Sequence, residues 1–251
     1  MTPSLSLPPQ YQLVAYDAID SVVDEARRLA EQGAEEGTLV WAKQQSAARG
    51  RFERPWLSPA GNLYCALILR LEEPPAAALQ VSYVAAVSLG ATIAELIGPA
   101  ELHYRWPNDI LLNEVKVAGL MLAAPPRSAN AAYDWLVLGV AVNVNTQPAA
   151  VEAETVAAHS DRFGGVPETL VLEDFARHFL SWINRWADEG FTPVQKAWQL
   201  RAHDIGHATK VKLRDETLEG QFIELDGEGA MIMQTPDAGR RKITLAEFYG
   251  V

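Results

Sequence analysis

Apolar and polar positions recur along this chain in two regimes, and the change between them predicts its organisation. Up to about residue 204, helical and strand periods are interleaved. Val22, Val23, Ala26, Leu29 and Ala30 share one face of a helix predicted over 22–32, capped by Asp20-Ser21 and ended by Gly33 and Gly37. Strands are predicted at 11–16 and 38–42, and the largely apolar run 63–71 predicts a buried one. Pro74 and Pro75 break the chain before a long, mostly buried helix over 78–97. A strand at 101–105 follows, then a hairpin of 110–112 and 115–123 turned at Asn113-Glu114, and an apolar strand over 133–145. An amphipathic helix over 170–189 ends at Gly190, and a second helix over 191–202 tolerates Pro193 in its first turn. The opening, with Pro3, Pro8 and Pro9, predicts an extended arm, and residues 146–168 a surface excursion.

From about Ala208 the period shortens to two. Strands at 209–213, 218–225, 230–234 and 241–245, joined by turns such as Arg214-Asp215-Glu216 and Asp226-Gly227-Glu228-Gly229, predict a small barrel. The boundary falls near Asp204 to Gly206, dividing the chain into residues 1–204 and 205–251. The fold class expected is α+β with a mixed sheet.

Composition narrows the function classes. The chain has 251 residues, 49% of them hydrophobic and 21% charged, as in an ordinary globular protein. The apolar run 81–97 is interrupted by Ser82, Ser88, Gly90, Thr92 and Glu95, so no membrane span is expected, and residues 1–10 lack the pattern of a secretory signal. One cysteine, Cys65, excludes an internal disulfide and suits a cytoplasmic location. Its place in the apolar strand argues for a packing role. The five histidines show no metal-ligand spacing. A net charge of −11 argues against nucleic-acid binding, so a small anion or a protein is the expected partner.

Against that acidic background, Arg49, Arg51 and Arg54 crowd into one loop running from Gln45 to Trp56. Guanidinium forks suit phosphate or carboxylate, and small neighbours such as Ala48 and Gly50 let backbone amides approach such a ligand. A second group is Trp106-Pro107-Asn108-Asp109 followed by Lys116-Val117-Ala118-Gly119. Lys116 sits among apolar neighbours and needs an anion, and a tight hairpin would bring Asp109 to it. Asn143 and Asn145 close the apolar strand with neutral amides. Cations, a carboxylate and amides in this combination suit a carboxylic acid activated as an acyl adenylate.

The order of these motifs, from Gln45-Ser46-Ala47-Ala48-Arg49-Gly50-Arg51 through Gly61-Asn62-Leu63-Tyr64, Trp106-Pro107-Asn108-Asp109, Lys116-Val117-Ala118-Gly119 and Gly139-Val140-Ala141-Val142-Asn143, resembles the biotin protein ligases of the biotinyl/lipoyl protein ligase superfamily. The resemblance implies a class II aminoacyl-tRNA synthetase-like catalytic domain and a C-terminal SH3-like barrel. It implies that biotin and ATP, with Mg2+, give biotinyl-5'-AMP, and that the biotinyl group passes to a lysine of a biotin carboxyl carrier domain. By position, Ser21 and Gln45 would meet the ureido ring. Arg49 and Arg51 would cover biotin and the adenylate phosphate, with Arg54 and Trp56 nearer the nucleotide. Asn108 and Asp109 would lie beside the adenylate and its magnesium, with no firm metal ligand assigned. Lys116 would contact the reacting oxygens, Gly119 would line the biotin pocket and Asn143 would approach the nucleotide. Lys116, Asp109 and Arg51 are the candidate catalytic residues. The helix-turn-helix of repressor-type members has no counterpart, so operator binding is not expected, and a homodimer is left open. A lipoate or octanoate transferase on the same fold, or a protein that binds without catalysis, is the alternative.

The loop departs from the family pattern Gly-Arg-Gly-Arg-x-Gly-Arg-x-Trp at Ala48, which would be strained if that position needs a positive φ, and at Glu53, which is expected to neutralise Arg51 and Arg54. Val22 and Val23 replace polar residues of the ligand pocket, and Ala141 replaces a glycine.

Overall fold

The computed structural model describes residues 5–97, 101–126, 131–146, 165–237 and 239–251. The first residues of the opening arm and most of the excursion predicted at 146–168 lie outside them. In chain order the elements are β1 (Gln12–Tyr16), α1 (Val22–Glu31), β2 (Thr38–Ala42), a 3-10 turn at Arg51–Glu53, β3 (Leu63–Leu69), α2 (Pro75–Ala78), α3 (Val81–Ile97), β4 (Leu102–Arg105), β5 (Asp109–Leu112), β6 (Val115–Ala123), β7 (Leu136–Val142), α4 (Glu168–Glu189) and α5 (Thr192–Gln199). After these come β8 (Ala208–Lys212), β9 (Thr217–Leu225), β10 (Met231–Thr235), β11 (Gly239–Ile243) and α6 (Leu245–Tyr249).

A seven-stranded mixed sheet, ordered β1-β2-β3-β7-β6-β5-β4, is parallel between β1 and β2 and antiparallel elsewhere. Side chains alternate across its faces. From β2 and β3, Leu39, Trp41, Leu63, Cys65, Leu67 and Leu69 enter the main core, whereas Val40, Ala42, Tyr64, Ala66 and Ile68 pack beneath α1. Burial on both faces is why β3 reads as an unbroken apolar run. Helix α3 is buried nearly all round and passes, by length and composition alone, for a membrane span together with α2. It is the core helix, with 83% of its apolar window inside the protein.

The C-terminal residues form a four-stranded antiparallel sheet, ordered β11-β10-β9-β8, followed by α6. Tyr83 of α3 donates to the Gly229 carbonyl at 2.6 Å, and the Trp106 indole donates to the same oxygen at 3.3 Å. These two bonds tie the β9–β10 turn to the main core. The segment 201–203 lies along β4, with Tyr104 N donating to Arg201 O at 2.8 Å and His203 N to Tyr104 O at 2.9 Å.

Candidate active site

The arginine loop folds back on itself. Gly50 N donates to Arg54 O at 2.8 Å and Trp56 N to Ala48 O at 2.9 Å, while Ser46 N and Ala47 N donate to the carbonyls of Ile19 and Asp20. One flank of the loop is thus strapped to the start of α1. The positive φ angles fall at Phe52 (57°) and Glu53 (58°), not at Ala48, so the condition for strain at residue 48 is not met and the left-handed residues are the two that follow Arg51. Left-handed backbone costs a non-glycine residue about 1–2 kcal/mol.

Glu53 also behaves differently from expectation. Its carboxylate lies 2.7 Å from Arg49, four residues back, while Arg51 finds its partners elsewhere. The Arg51 guanidinium lies 3.3 Å from the centre of the Phe248 ring and 4.6 Å from that of Phe52, and it donates to the Lys212 carbonyl at 2.5 Å. Burial pulls its pKa down to about 10, which leaves it cationic at neutral pH.

Opposite the loop, the β5–β6 hairpin presents Asp109 and Lys116. Asn113 and Glu114 both take positive φ, the geometry of a tight two-residue turn, and the ammonium of Lys116 comes within 2.6 Å of Asp109 Oδ1. Both side chains are part-buried. The contact is an ion pair lacking hydrogen-bond alignment, and Oδ1 has no hydrogen-bond partner among the described residues. Lys116 Nζ also stands 5.3 Å from the centre of the Trp56 ring. Gly119 makes this crowding feasible, because a Cβ there would sit 3.3 Å from the Trp56 ring and 3.4 Å from Lys116 Nζ.

Between loop, hairpin and α1 lies a cavity of about 240 Å³. Of the residues singled out by sequence, Ser21, Gln45, Arg49, Arg51, Arg54, Trp56, Asn108, Asp109, Lys116 and Gly119 line it. Ser21 Oγ caps α1 by accepting from Asp24 N, which leaves its hydrogen to donate. Gln45 accepts from Val22 N at 2.8 Å and donates to Ser58 Oγ at 3.0 Å, so its amide is already oriented. Asn108 is tied to β6 through a 2.9 Å bond to Leu120 O.

Asn143 stands apart from the lining. It is 2% exposed, donates to Val117 O at 3.4 Å and accepts from Asn62 at 3.4 Å, so it fastens the end of β7 to its neighbours. Sequence reasoning missed Lys212, which lines the cavity from the last residue of β8. Val22, Val23, Met121, Val140 and Ala141 give the cavity an apolar wall, and a Cβ at Gly139 would lie only 2.6 Å from Val23 Cγ2. Cys65 lies at its floor with its thiol pushed up to about 12 by burial, a protonated packing group rather than a nucleophile.

Cations facing an apolar wall across one cavity can hold an acid with a bulky, uncharged body and phosphate attached to its head. Residues 55–200 match the biotin/lipoate A/B protein ligase family. The chain is 34% identical over 238 residues to a biotin--[acetyl-CoA-carboxylase] ligase of Paracoccus denitrificans, covering 92% of this chain and 98% of that one. A bifunctional ligase/repressor of Bacillus subtilis is 30% identical over 240 residues, with 94% of this chain and 73% of that protein covered. Among solved structures, a biotin protein ligase-like protein of unknown function from a Silicibacter species superposes with a TM-score of 0.79 at 25% identity, covering 96% of this chain and 97% of that one. The biotin protein ligase of Aquifex aeolicus in complex with biotin and ATP shares the fold, with a TM-score of 0.76 at 24% identity over 94% of this chain and 97% of that one.

Proposed function

Because the chain belongs to the biotin/lipoate A/B protein ligase family, we propose that it is an ATP-dependent ligase that activates biotin as biotinyl-5'-AMP and transfers it to a lysine of a biotin carboxyl carrier domain. The observation that carries this reading is the convergence of Arg49, Arg51, Arg54 and Lys116 on one cavity that also has an apolar wall.

In the first half-reaction a carboxylate oxygen of biotin attacks the α-phosphorus of ATP and pyrophosphate leaves. Two anions must approach each other, and positive charge fixed beforehand in a part-buried site lowers that cost. Lys116 is placed to move from Asp109 to the shared oxygens of the mixed anhydride, with Arg51 facing the phosphate from the loop. Ser21 and Gln45 supply oriented hydrogen-bond partners for the ureido ring, while Val22, Val23 and Met121 exclude water from the apolar remainder of biotin. In the second half-reaction the carrier's lysine amine attacks the acyl carbon and AMP leaves with the bonding pair.

The donor chemistry fits Mg2+, which is held by one or two carboxylates together with substrate phosphates. Asp109 is the carboxylate in the cavity lining among the described residues, and its Oδ1, ion-paired with Lys116, has no hydrogen-bond partner among them. Bound there, the ion would supply neutralisation of phosphate charge.

We further propose a division into a catalytic domain, 1–204, and an SH3-like domain, 205–251, supported by the separate hydrogen-bonded sheets. The acidic net charge disfavours nucleic acid as a partner. The outer edge of β1, the first strand in the sheet order, offers backbone for a homodimer contact, which light scattering would detect.

The test is incubation with biotin, MgATP and a carrier domain. A biotinylated carrier lysine and biotin-dependent pyrophosphate exchange are expected, and absence of both would refute the reading. The apolar wall at Val22 and Val23 supports a second reading, in which a lipoate-type acid is preferred. Exchange driven by lipoate and indifferent to biotin would select it.

A further inference from the structure

Arg49 and Arg51 are fixed by opposite means. Arg49 is paired with a carboxylate, so its orientation comes with neutralisation of its charge. Arg51 is held by a ring face and a backbone carbonyl, and no carboxylate pairs with it among the described residues. A π face and a carbonyl oxygen orient a guanidinium without cancelling its formal charge. Both holders belong to the C-terminal unit, about 160 to 200 residues further along the chain.

The helix that carries Phe248 is capped at both ends. Helix α6 begins with a capping box in which Thr244 and Glu247 satisfy each other's backbone N–H groups, and it ends at Gly250 in the left-handed conformation. The Phe248 ring meets Trp106 edge-to-face at 5.0 Å. Trp106 leads directly into Asn108 and Asp109, so one aromatic side chain buttresses the arginine loop and the start of the hairpin together. Immediately after Arg51 the chain spends two residues, Phe52 and Glu53, in left-handed backbone, a geometry that persists only where surrounding contacts over-determine it.

We propose that Phe248, with the Lys212 carbonyl, is a positioning residue that clasps Arg51 at the mouth of the cavity, so that the C-terminal unit sets the geometry of the reaction site. This rests on the ligase reading for its chemical consequence, but the clasp itself can be tested without it.

The test uses the full-length chain and the variants Phe248→Ala, Phe248→Leu and Phe248→Tyr, each also combined with Arg51→Gln. Phe248→Ala should lower kcat for biotin-dependent pyrophosphate exchange by about ten- to a hundredfold, the cost of displacing a positioned group, with KM for biotin changed less. Phe248→Leu fills space without a π face and should behave like Phe248→Ala, whereas Phe248→Tyr should restore the rate. In the Arg51→Gln background Phe248→Ala should cost nothing further. An equal loss in both backgrounds, or no loss in either, overturns the proposal.

Tryptic cleavage gives a readout independent of turnover. The bond after Arg51 should resist trypsin in the wild type and be cut readily in Phe248→Ala, while Arg54 is protected in both because Pro55 follows it. Unchanged cleavage at Arg51 refutes the clasp. A wild type that resists at Arg51 but shows no exchange refutes the ligase reading alone.

Discussion

Lys116 shows how one side chain acquires its role from its surroundings. It is 24% exposed and its partner Asp109 19%, so each stabilises a part-buried charge that water serves poorly. Lys116→Gln preserves length and removes the charge. Adenylate formation should fall by about 10²–10³, the usual loss of one preorganised electrostatic contact, and calorimetry with biotin alone should change far less. Glu53 offers the converse. Its φ of 58° suits glycine, and its exposed pair with Arg49 is worth only about 0–1 kcal/mol. Glu53→Gly relieves about 1–2 kcal/mol of strain and gives back roughly 0.5–1 in chain entropy and about 0–1 in the lost pair, so stability should shift by no more than about 1.5 kcal/mol. Freed from its carboxylate, Arg49 should bind ATP up to about fivefold more tightly at low salt, as titration calorimetry would register. Weaker binding would show that the pair shapes the loop instead of competing with the ligand. These residues were legible because the loop and the hairpin are each contiguous in sequence. The pairing of Glu53 with Arg49 was not, since it depends on which way a strained backbone turns.

At the scale of elements, hydrophobic period carried most of the layout, and the turn at Asn113-Glu114 came out where residue chemistry put it. Helix α6 was hidden because Lys242 to Leu245 read as the end of a strand. Its one sequence signal is the Thr244 and Glu247 spacing of a capping box. Phe248 and Lys212 could not be connected to Arg51 by any local pattern, because the contact arises only when the second sheet docks. Close approach of elements is equally silent in sequence. Gly90 lies in α3, where alanine would add about 1 kcal/mol of helix propensity. Its missing Cβ, however, would fall 2.0 Å from the Tyr104 hydroxyl and 2.8 Å from Cζ. The Tyr104 ring is 2% exposed and stacks on Trp198 with centres 6.1 Å apart, so it has nowhere to swing. Overpacking of this kind costs about 1–3 kcal/mol, and Gly90→Ala should therefore lower Tm despite its better propensity. A raised Tm would mean that α3 and β4 separate without cost.

For the molecule as a whole, the join between β4, the β5–β6 turn and the segment 201–204 that leads into the C-terminal unit carries a cluster of titratable groups outside the cavity lining. His203 reaches Glu114 at 2.5 Å and also hydrogen-bonds Asp204. His103 lies 3.2 Å from Glu114, and Arg105 lies 3.6 Å from Asp204. Burial pulls the His203 imidazole down, but its bonds to Asp204 and Glu114 prevail and hold it above the ordinary 6.5. Glu114, accepting from His203, is held below the ordinary 4.5. A raised base stabilises the fold fully below its unfolded pKa and loses that effect as pH climbs through the folded one. A lowered acid stabilises fully above its unfolded pKa and loses that effect as pH falls. Both contributions are complete only between the two ordinary values, 4.5 and 6.5. Thermal melts of wild type and His203→Gln compared across pH should differ most in that interval and converge above it, once His203 is neutral. Because Arg201 and His203 hydrogen-bond the backbone of Tyr104 in β4, loosening this join should also loosen the docking of the C-terminal unit. Protection of Arg51 from trypsin, scored against an unfolded substrate at each pH, should then weaken as pH rises above 6.5 in the wild type and change less in His203→Gln. Equal pH dependence in the two proteins would locate the sensitivity elsewhere than in this cluster.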